Sequence, residues 1–238
     1  MRSGKGTLYL IPVALGGDGA PQVVPAATLE VVRRLTTLVV ENAKSARRFL
    51  KAAGYPHPLH QVRMHTLDEH TRAADLDALL APLLAGEDCG LMSEAGCPAV
   101  ADPGAGLVRL AHRAGIRVVP LSGPSSIVLA LMASGMNGQR FSFHGYLPAD
   151  RAERVRALRA LEAQADGATQ IFIETPYRNA ALMNALLEHC RADTLLCVAA
   201  DLTLPTEFVA TRTIAEWKQK PPALDRRLAV FLLLRERN

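Results

Sequence analysis

Lys44, Arg47, Arg48 and Lys51 stand at positions i, i+3, i+4 and i+7. On a helix that spacing puts four cations on one face, with Ala46, Phe49, Leu50 and Ala53 turned elsewhere. No acid interrupts the stripe, so it attracts phosphates, although a plain solvated helix face has the same pattern. Arg33, Arg34 and Arg63 lie close in sequence. A looser group, Arg151, Arg154, Arg156 and Arg159, is diluted by Glu153 and Glu162. Three carboxylates, Glu41, Glu94 and Asp102, fall at expected strand ends, where one of them could take a proton from a hydroxyl. Each could equally cap a helix or pair with an arginine.

Three further segments are unusual for plain connectors: Met92 to Gly104, Ser122 to Ser126, and Ile173 to Arg178. The first follows a strand with small residues, two prolines and two acids, which exposes backbone where open α/β sheets bind ligands. The second ends in a helix N-terminus whose amides can meet a carboxylate or a ribose. Other chemistries lack their signatures. Gly16-Gly17-Asp18-Gly19 is followed by no Gly-Lys-Ser/Thr, and Gly104-x-Gly106 has Arg109 where a dinucleotide fingerprint needs glycine. Ser122-Gly123-Pro124-Ser125-Ser126 is no nucleophile elbow. His57, His60, His65 and His70 have neither ligand spacing nor nearby thiolates, so no metal is expected.

The elements that must position these residues alternate between strand and helix. Strands are expected at Thr7 to Val13, Leu38 to Val40, Gln61 to Met64, Gly90 to Ser93 and Arg117 to Pro120. Helices are expected at Pro25 to Leu35, Ala43 to Ala53, Ala73 to Leu84, Gly104 to Ala114 and Ser125 to Ala133. The second half continues with strands near Ser142, Gln170, Leu195, Glu207 and Leu228, and helices from Arg151, Arg178 and Ile214. This is an α/β pattern with mainly parallel pairing in the first half. Two α/β domains are expected, 1–120 and 121–238, hinged at Pro120 to Pro124. At 238 residues, 49% hydrophobic and 21% charged, the chain supports a proper core and is not disordered as a whole. The longest apolar runs, such as Leu8 to Leu15, fall short of the ~20 residues of a membrane helix. The N-terminus has no signal-peptide layout, and the four cysteines form no CxxC pair, so a reduced cytoplasmic protein is expected. A net charge of +4 lends weak support to an anionic partner.

At the three loops the chain resembles the tetrapyrrole methylase superfamily, the class III S-adenosylmethionine-dependent methyltransferases. It is most similar to the bacterial branch that methylates 16S ribosomal RNA on ribose 2′-oxygens. That branch's Ser-Asp-Ala-Gly-x-Pro and Asp-Pro-Gly read here as Ser93-Glu94-Ala95-Gly96-Cys97-Pro98 and Asp102-Pro103-Gly104. Its Pro-Gly-Pro-Ser-Ala reads as Ser122-Gly123-Pro124-Ser125-Ser126, and its Phe-x-Gly-Phe-Leu-Pro as Phe143-His144-Gly145-Tyr146-Leu147-Pro148. Its Glu-Ser-Pro-His-Arg reads as Glu174-Thr175-Pro176-Tyr177-Arg178, and the opening Gly6 to Pro12 also fits.

The resemblance implies two α/β domains with S-adenosylmethionine folded into the cleft between them, the first domain also carrying the substrate side, and a homodimer. It implies cofactor contacts at Pro12, Ala95, Gly96, Cys97 and Val100, at Ser125 and Ser126, and at Glu174 and Leu202. Ribosomal RNA is then the expected substrate, held by Lys44, Arg47, Arg48 and Lys51; a tetrapyrrole or another small molecule is the alternative. Porphyrin-modifying members usually carry Asp where Cys97 stands, which favours the RNA branch. Departures fall on the substrate side. The branch's Pro-Ile-Gly-Asn is replaced by Val13-Ala14-Leu15-Gly16-Gly17-Asp18, and its Glu-Asp-Thr-Arg by Glu41-Asn42-Ala43-Lys44. The short tail after Leu234 lacks the branch's extra C-terminal segment.

Overall fold

Short apolar strands flanked by amphipathic helices build the first half of the chain. The computed structural model describes residues 4–17 and 20–235. Met1-Arg2-Ser3, Asp18 and Gly19 of the expected glycine break, and the residues after Arg235 lie outside them. The first half runs β1 (Thr7–Leu10), α1 (Ala20–Val23), α2 (Ala26–Arg34), β2 (Thr37–Val40), α3 (Ala43–Ala52), β3 (Arg63–Thr66), α4 (Leu76–Leu84), β4 (Cys89–Met92), α5 (Ala105–Arg113) and β5 (Arg117–Pro120). The second runs α6 (Ser126–Ser134), β6 (Phe141–Tyr146), α7 (Arg151–Gln164), β7 (Thr169–Glu174), α8 (Asn179–His189), β8 (Leu195–Ala200), β9 (Phe208–Thr213), α9 (Ile214–Gln219) and β10 (Ala229–Leu234). The chain divides into two compact units, Met1–Ser125 and Ser126–Asn238.

In the first unit all strand pairs are parallel, in the order β3-β2-β4-β1-β5. Strands β2 and β4 are buried at every residue, which is why they read as unbroken apolar runs rather than alternating ones. One face is covered by α2 and α3 through Leu29, Val32, Phe49 and Leu50. The other is covered by α4 and α5 through Leu80, Leu83, Leu107 and Ala111. The chain therefore leaves β1 toward one face and leaves its neighbour β4 toward the other. That switch opens a crevice beyond the carboxyl ends of these two strands, the place where sheets of this kind hold ligands.

The second unit is mixed, in the order β6-β7-β10-β8-β9, with only β6 and β7 parallel. Alternate residues of β10, Phe231 and Leu233 among them, join Trp217, Leu158 and Leu186 in one core under α7, α8 and α9. The ring of Phe231 stacks on Phe172 at 5.8 Å between centroids. Helix α6 packs on β8, β9 and β10.

Several expected boundaries move by one residue, and three elements in the first unit shift by two or more. Strand β1 ends at Leu10, because Val13 leaves the ladder and instead forms an isolated bridge to Gly96. Strand β3 starts at Arg63 rather than Gln61, since Leu59–Gln61 turns as a 3-10 helix after Pro58. The expected helix from Ala73 begins with a 3-10 turn and becomes α-helical at Leu76.

Gly6 enters β1 against backbone: a methyl group there would run into the Glu87 carbonyl oxygen. Neither partner is a side chain that can rotate away, and Gly6 N–H also donates to Leu83 O at 2.8 Å. Gly6→Ala is therefore expected to destabilise the chain by about 1–3 kcal/mol. Urea unfolding monitored by circular dichroism reads this as a lower midpoint at constant slope.

Candidate active site

Three loops meet beyond the carboxyl ends of β1, β4 and β5. Val13 N–H donates to Gly96 O at 2.9 Å and Gly96 N–H returns to Val13 O at 3.2 Å, which joins the first loop to the second. The Cys97 thiol reaches Pro124 O at 3.5 Å, which joins the second to the third. Gly123 lies flat on Pro12, where a Cβ would strike the proline ring. Thr28 Oγ1 donates to Ser122 O at 2.7 Å and ties the third loop to α2. Small residues are required because backbone meets backbone. Gly96 has φ +70°, and Ala99 and Ala101 hold φ near +65°, a left-handed conformation unusual for residues with a Cβ.

Of the expected cofactor contacts in the first unit, Pro12 and Gly96 are buried, Cys97 and Ser125 half-buried, and Ala95 and Val100 exposed. The loop thus presents Ala95 and Val100 outward on a strained, tightly packed base. One further atom, which residue spacing did not single out, belongs here. Ser93 Oγ is buried with no well-formed hydrogen bond. Its signals in the sequence are a serine directly after an apolar strand and the first place of the Ser93-Glu94-Ala95-Gly96-Cys97-Pro98 motif.

The three candidate carboxylates gather at the same edge of the sheet. Glu41 follows β2, and its Oε2 accepts from Glu94 N–H at 3.1 Å. Burial raises the Glu41 pKa above the usual carboxylate range. The Glu94 amide opposes the shift, and the charges of Asp102, Glu94 and Glu69 add to it. Burial also raises Asp102, with Glu94 adding; the neighbouring Ser93 hydroxyl works against it, without hydrogen-bonding geometry good enough to satisfy its own oxygen. Glu94 itself is exposed. Carboxylates whose proton affinity is raised are better suited to accepting a proton from an alcohol.

The basic stripe starts at this edge. Asn42 caps α3, its side-chain oxygen accepting from Lys44 N–H at 2.8 Å and Ser45 N–H at 3.3 Å. The amide that replaces the branch's acid is therefore an ordinary helix cap. Lys44, Arg47, Arg48 and Lys51 are all exposed while Ala46, Phe49 and Leu50 are buried, as the spacing requires. Arg48 lines a small pocket together with Val13, Gly17, Ser45 and Glu94, which places the stripe beside the loop junction.

In the second unit, Glu174 is the last residue of β7 and its side chain is fully buried. Its Oε1 accepts from Thr175 N–H at 2.6 Å and from Arg178 Nε at 2.8 Å, while Oε2 is buried without a partner. Leu202 is buried and stands between Asp201 and Thr203, both at positive φ. Asp201 braces that turn by accepting from Arg227 Nε at 2.7 Å and from Thr206 Oγ1 at 3.0 Å. Ser126 opens α6. Among the described residues no cluster of His, Cys, Asp or Glu could hold a metal.

Known proteins match this arrangement along the chain. The family described as Tetrapyrrole (Corrin/Porphyrin) Methylases matches residues 7–218. Ribosomal RNA small subunit methyltransferase I of Xylella fastidiosa is 34% identical over 215 residues, covering 90% of this chain and 74% of that protein. The Escherichia coli O157:H7 protein of the same name is 31% identical over 212 residues, covering 89% and 71%. Among solved structures, the methyltransferase CobJ superposes with a TM-score of 0.61 at 17% identity, covering 96% of this chain and 94% of that one. Uroporphyrin-III-C-methyltransferase from Thermus thermophilus gives 0.55 at 20%, covering 96% and 92%. The chain belongs to the tetrapyrrole methylase family. It is an S-adenosylmethionine-dependent methyltransferase.

The Glu41 shift has a stability consequence with a definite sign. A carboxyl raised on folding binds its proton more tightly in the native chain, so ionising it costs stability as pH rises from the unfolded value, ~4.3, through the folded one. Glu41→Gln keeps an oxygen for the Glu94 amide and removes the charge. Its thermal midpoint at pH 7 should equal or exceed that of the wild type, and the difference should vanish below about pH 4. Melts from about pH 3 to pH 8 check this.

Proposed function

We propose that the chain transfers a methyl group from S-adenosylmethionine to a ribose 2′-hydroxyl of ribosomal RNA. The observation that carries the reading is Arg48. It belongs to a four-cation stripe and lines the same pocket as Glu94, whose amide is held by Glu41. A phosphate-attracting surface thus adjoins carboxylates that can take a proton. The relatives described above are named as ribosomal RNA methyltransferases, and the match covers most of their length.

The cofactor fits the residues present. The β4 loop is built of small residues over a close backbone junction, and Ser93 Oγ is a buried polar atom whose approach to Asp102 falls short of a full hydrogen bond. In this reading Ala95, Gly96, Cys97, Val100, Pro12 and Ser125 hold it, mostly through main chain. The roles of Ser126, Glu174 and Leu202 rest on the family resemblance alone. Bound S-adenosylmethionine supplies a methyl carbon made electrophilic by its sulfonium. The chain's own task is to hold the hydroxyl in line and exclude competing water. Glu41 is the group we assign to receive the hydroxyl proton, its pKa raised by burial and further by the Asp102 charge.

We further propose a homodimer working in the cytoplasm. Thiols that are all free, three of them buried, suit a reducing compartment. Met132 and Phe141, exposed at 73% and 46%, offer apolar surface for a second copy.

Two experiments test the reading. Ala95 is exposed, so Ala95→Arg should fold normally yet lower S-adenosylmethionine affinity at least about tenfold, a loss near 1.4 kcal/mol. Unchanged affinity by calorimetry would remove the β4 loop from the cofactor site. Lys44→Ala with Arg47→Ala should weaken binding of a 16S ribosomal RNA fragment and flatten its salt dependence by about 0.7–0.9 for each phosphate no longer neutralised. Cofactor affinity should stay constant. A slope identical to the wild type would detach the stripe from the substrate.

A further inference from the structure

The first unit carries a second basic surface at the opposite edge of its sheet. A groove of about 950 Å³ opens beyond the amino ends of the strands, lined among others by Lys5, Tyr9, Arg34, Arg63, Glu87 and Arg117. Its acids are already engaged. Glu87 receives both terminal nitrogens of Arg63, and Asp88 Oδ1 accepts from Thr7 N–H at 2.7 Å. Its remaining cations, Lys5, Arg34 and Arg117, outnumber the remaining carboxylate, Asp88. Lys5 Nζ donates to Ala114 O at 2.7 Å, and Arg34 lies over the Tyr9 ring at 5.6 Å. Neither they nor Arg117 forms an ion pair among the described residues, and all three are exposed. Three charges converge on a concave surface where Asp88, bonded to a backbone amide, is the one carboxylate not already paired with a cation, so the lining carries a net charge of +2.

Helix α3 carries the stripe toward the groove. Helix α3 begins just after the carboxyl end of β2 and finishes before the loop to the amino end of β3, so it runs from the active-site edge to the groove edge. Lys44 to Lys51 spans about 10 Å of that path at 1.5 Å per residue. At the far end Arg33 Nε donates to Ala53 O at 2.9 Å, which binds the end of α2 to the end of α3. The next residue is Arg34, in the groove. Cations therefore follow one another from Lys44 through Lys51, Arg33 and Arg34 to Arg117. A small anion would need only one end of such a track. A polyanion with regularly spaced charges uses all of it.

We propose that this groove is a second RNA-binding site, which grips phosphates of the substrate RNA remote from the ribose being methylated. It rests on the ribosomal RNA reading and adds that the RNA is held along the side of the first unit, from one edge of the sheet to the other. Tyr9 serves to hold the Arg34 guanidinium toward the groove, and Arg63–Glu87 forms its floor.

The test uses the full chain and a 16S ribosomal RNA fragment, with affinity measured at several salt concentrations. Arg34→Ala with Arg117→Ala is expected to lower affinity about sixfold for each cation removed at ~100 mM salt and to reduce the slope by about 0.7–0.9 for each. Arg34→Lys with Arg117→Lys should restore most of the slope, because the charge is kept. Thermal midpoint and S-adenosylmethionine affinity should not change, since both residues are exposed and lie at the edge away from the cofactor loops. Salt-dependent RNA binding by the wild type with an unaltered slope in the alanine variant overturns the groove alone. Absence of salt-dependent RNA binding in the wild type overturns both the groove and the reading on which it rests.

Discussion

The structure depends on backbone meeting backbone at the carboxyl edge of the parallel sheet. Val13 and Gly96 exchange hydrogen bonds, Gly123 lies on Pro12, and Cys97 reaches Pro124. These junctions leave little room for larger side chains and tie three loops distant in sequence into one rim. The strain at Ala99 and Ala101 is held in place by that rim. A ligand bound there meets fixed amides and small residues, and positioning is most of what methyl transfer asks of a protein.

Charge is separated around this rim. Acids collect at the sheet's carboxyl edge, where burial and mutual repulsion raise Glu41 and Asp102. Cations line the neighbouring helix and continue to the opposite edge. The arrangement lets a polyanion approach along the helix while the carboxylates stay available for a proton. Were the two sets interleaved, they would cancel as surface ion pairs, each worth little.

The second unit solves a different problem with the same materials. Its mixed sheet buries β10 on both faces, and its loops are stiffened by ion pairs rather than by bare backbone. Arg178 holds Glu174, and Arg227 holds Asp201. Removing either arginine would leave a largely buried acid unanswered, a costlier change than disrupting an exposed pair.

Much of this is legible in the sequence because it depends on local rules. Apolar runs with glycine punctuation mark the alternation of strands and helices, and the i, i+3, i+4, i+7 spacing puts Lys44 to Lys51 on one exposed face. The small-residue loops mark where chain segments pack backbone to backbone, because residue type alone says where backbone must be bare. Tertiary structure decides what depends on neighbours distant in the chain. Val13 has the residue type of a strand, but its partner is Gly96 and not the sheet. Asn42 reads as a missing acid, yet its place in the fold is the cap of α3. Glu41, Glu94 and Asp102 are interchangeable as letters. Only folding, which buries part of Glu41 and Asp102, raises the proton affinity of these two, and only folding hands Glu41 the Glu94 amide. The groove is invisible in the sequence for the same reason: Lys5, Arg34 and Arg117 are more than a hundred residues apart at the extremes, and it takes a parallel sheet to bring their edges together.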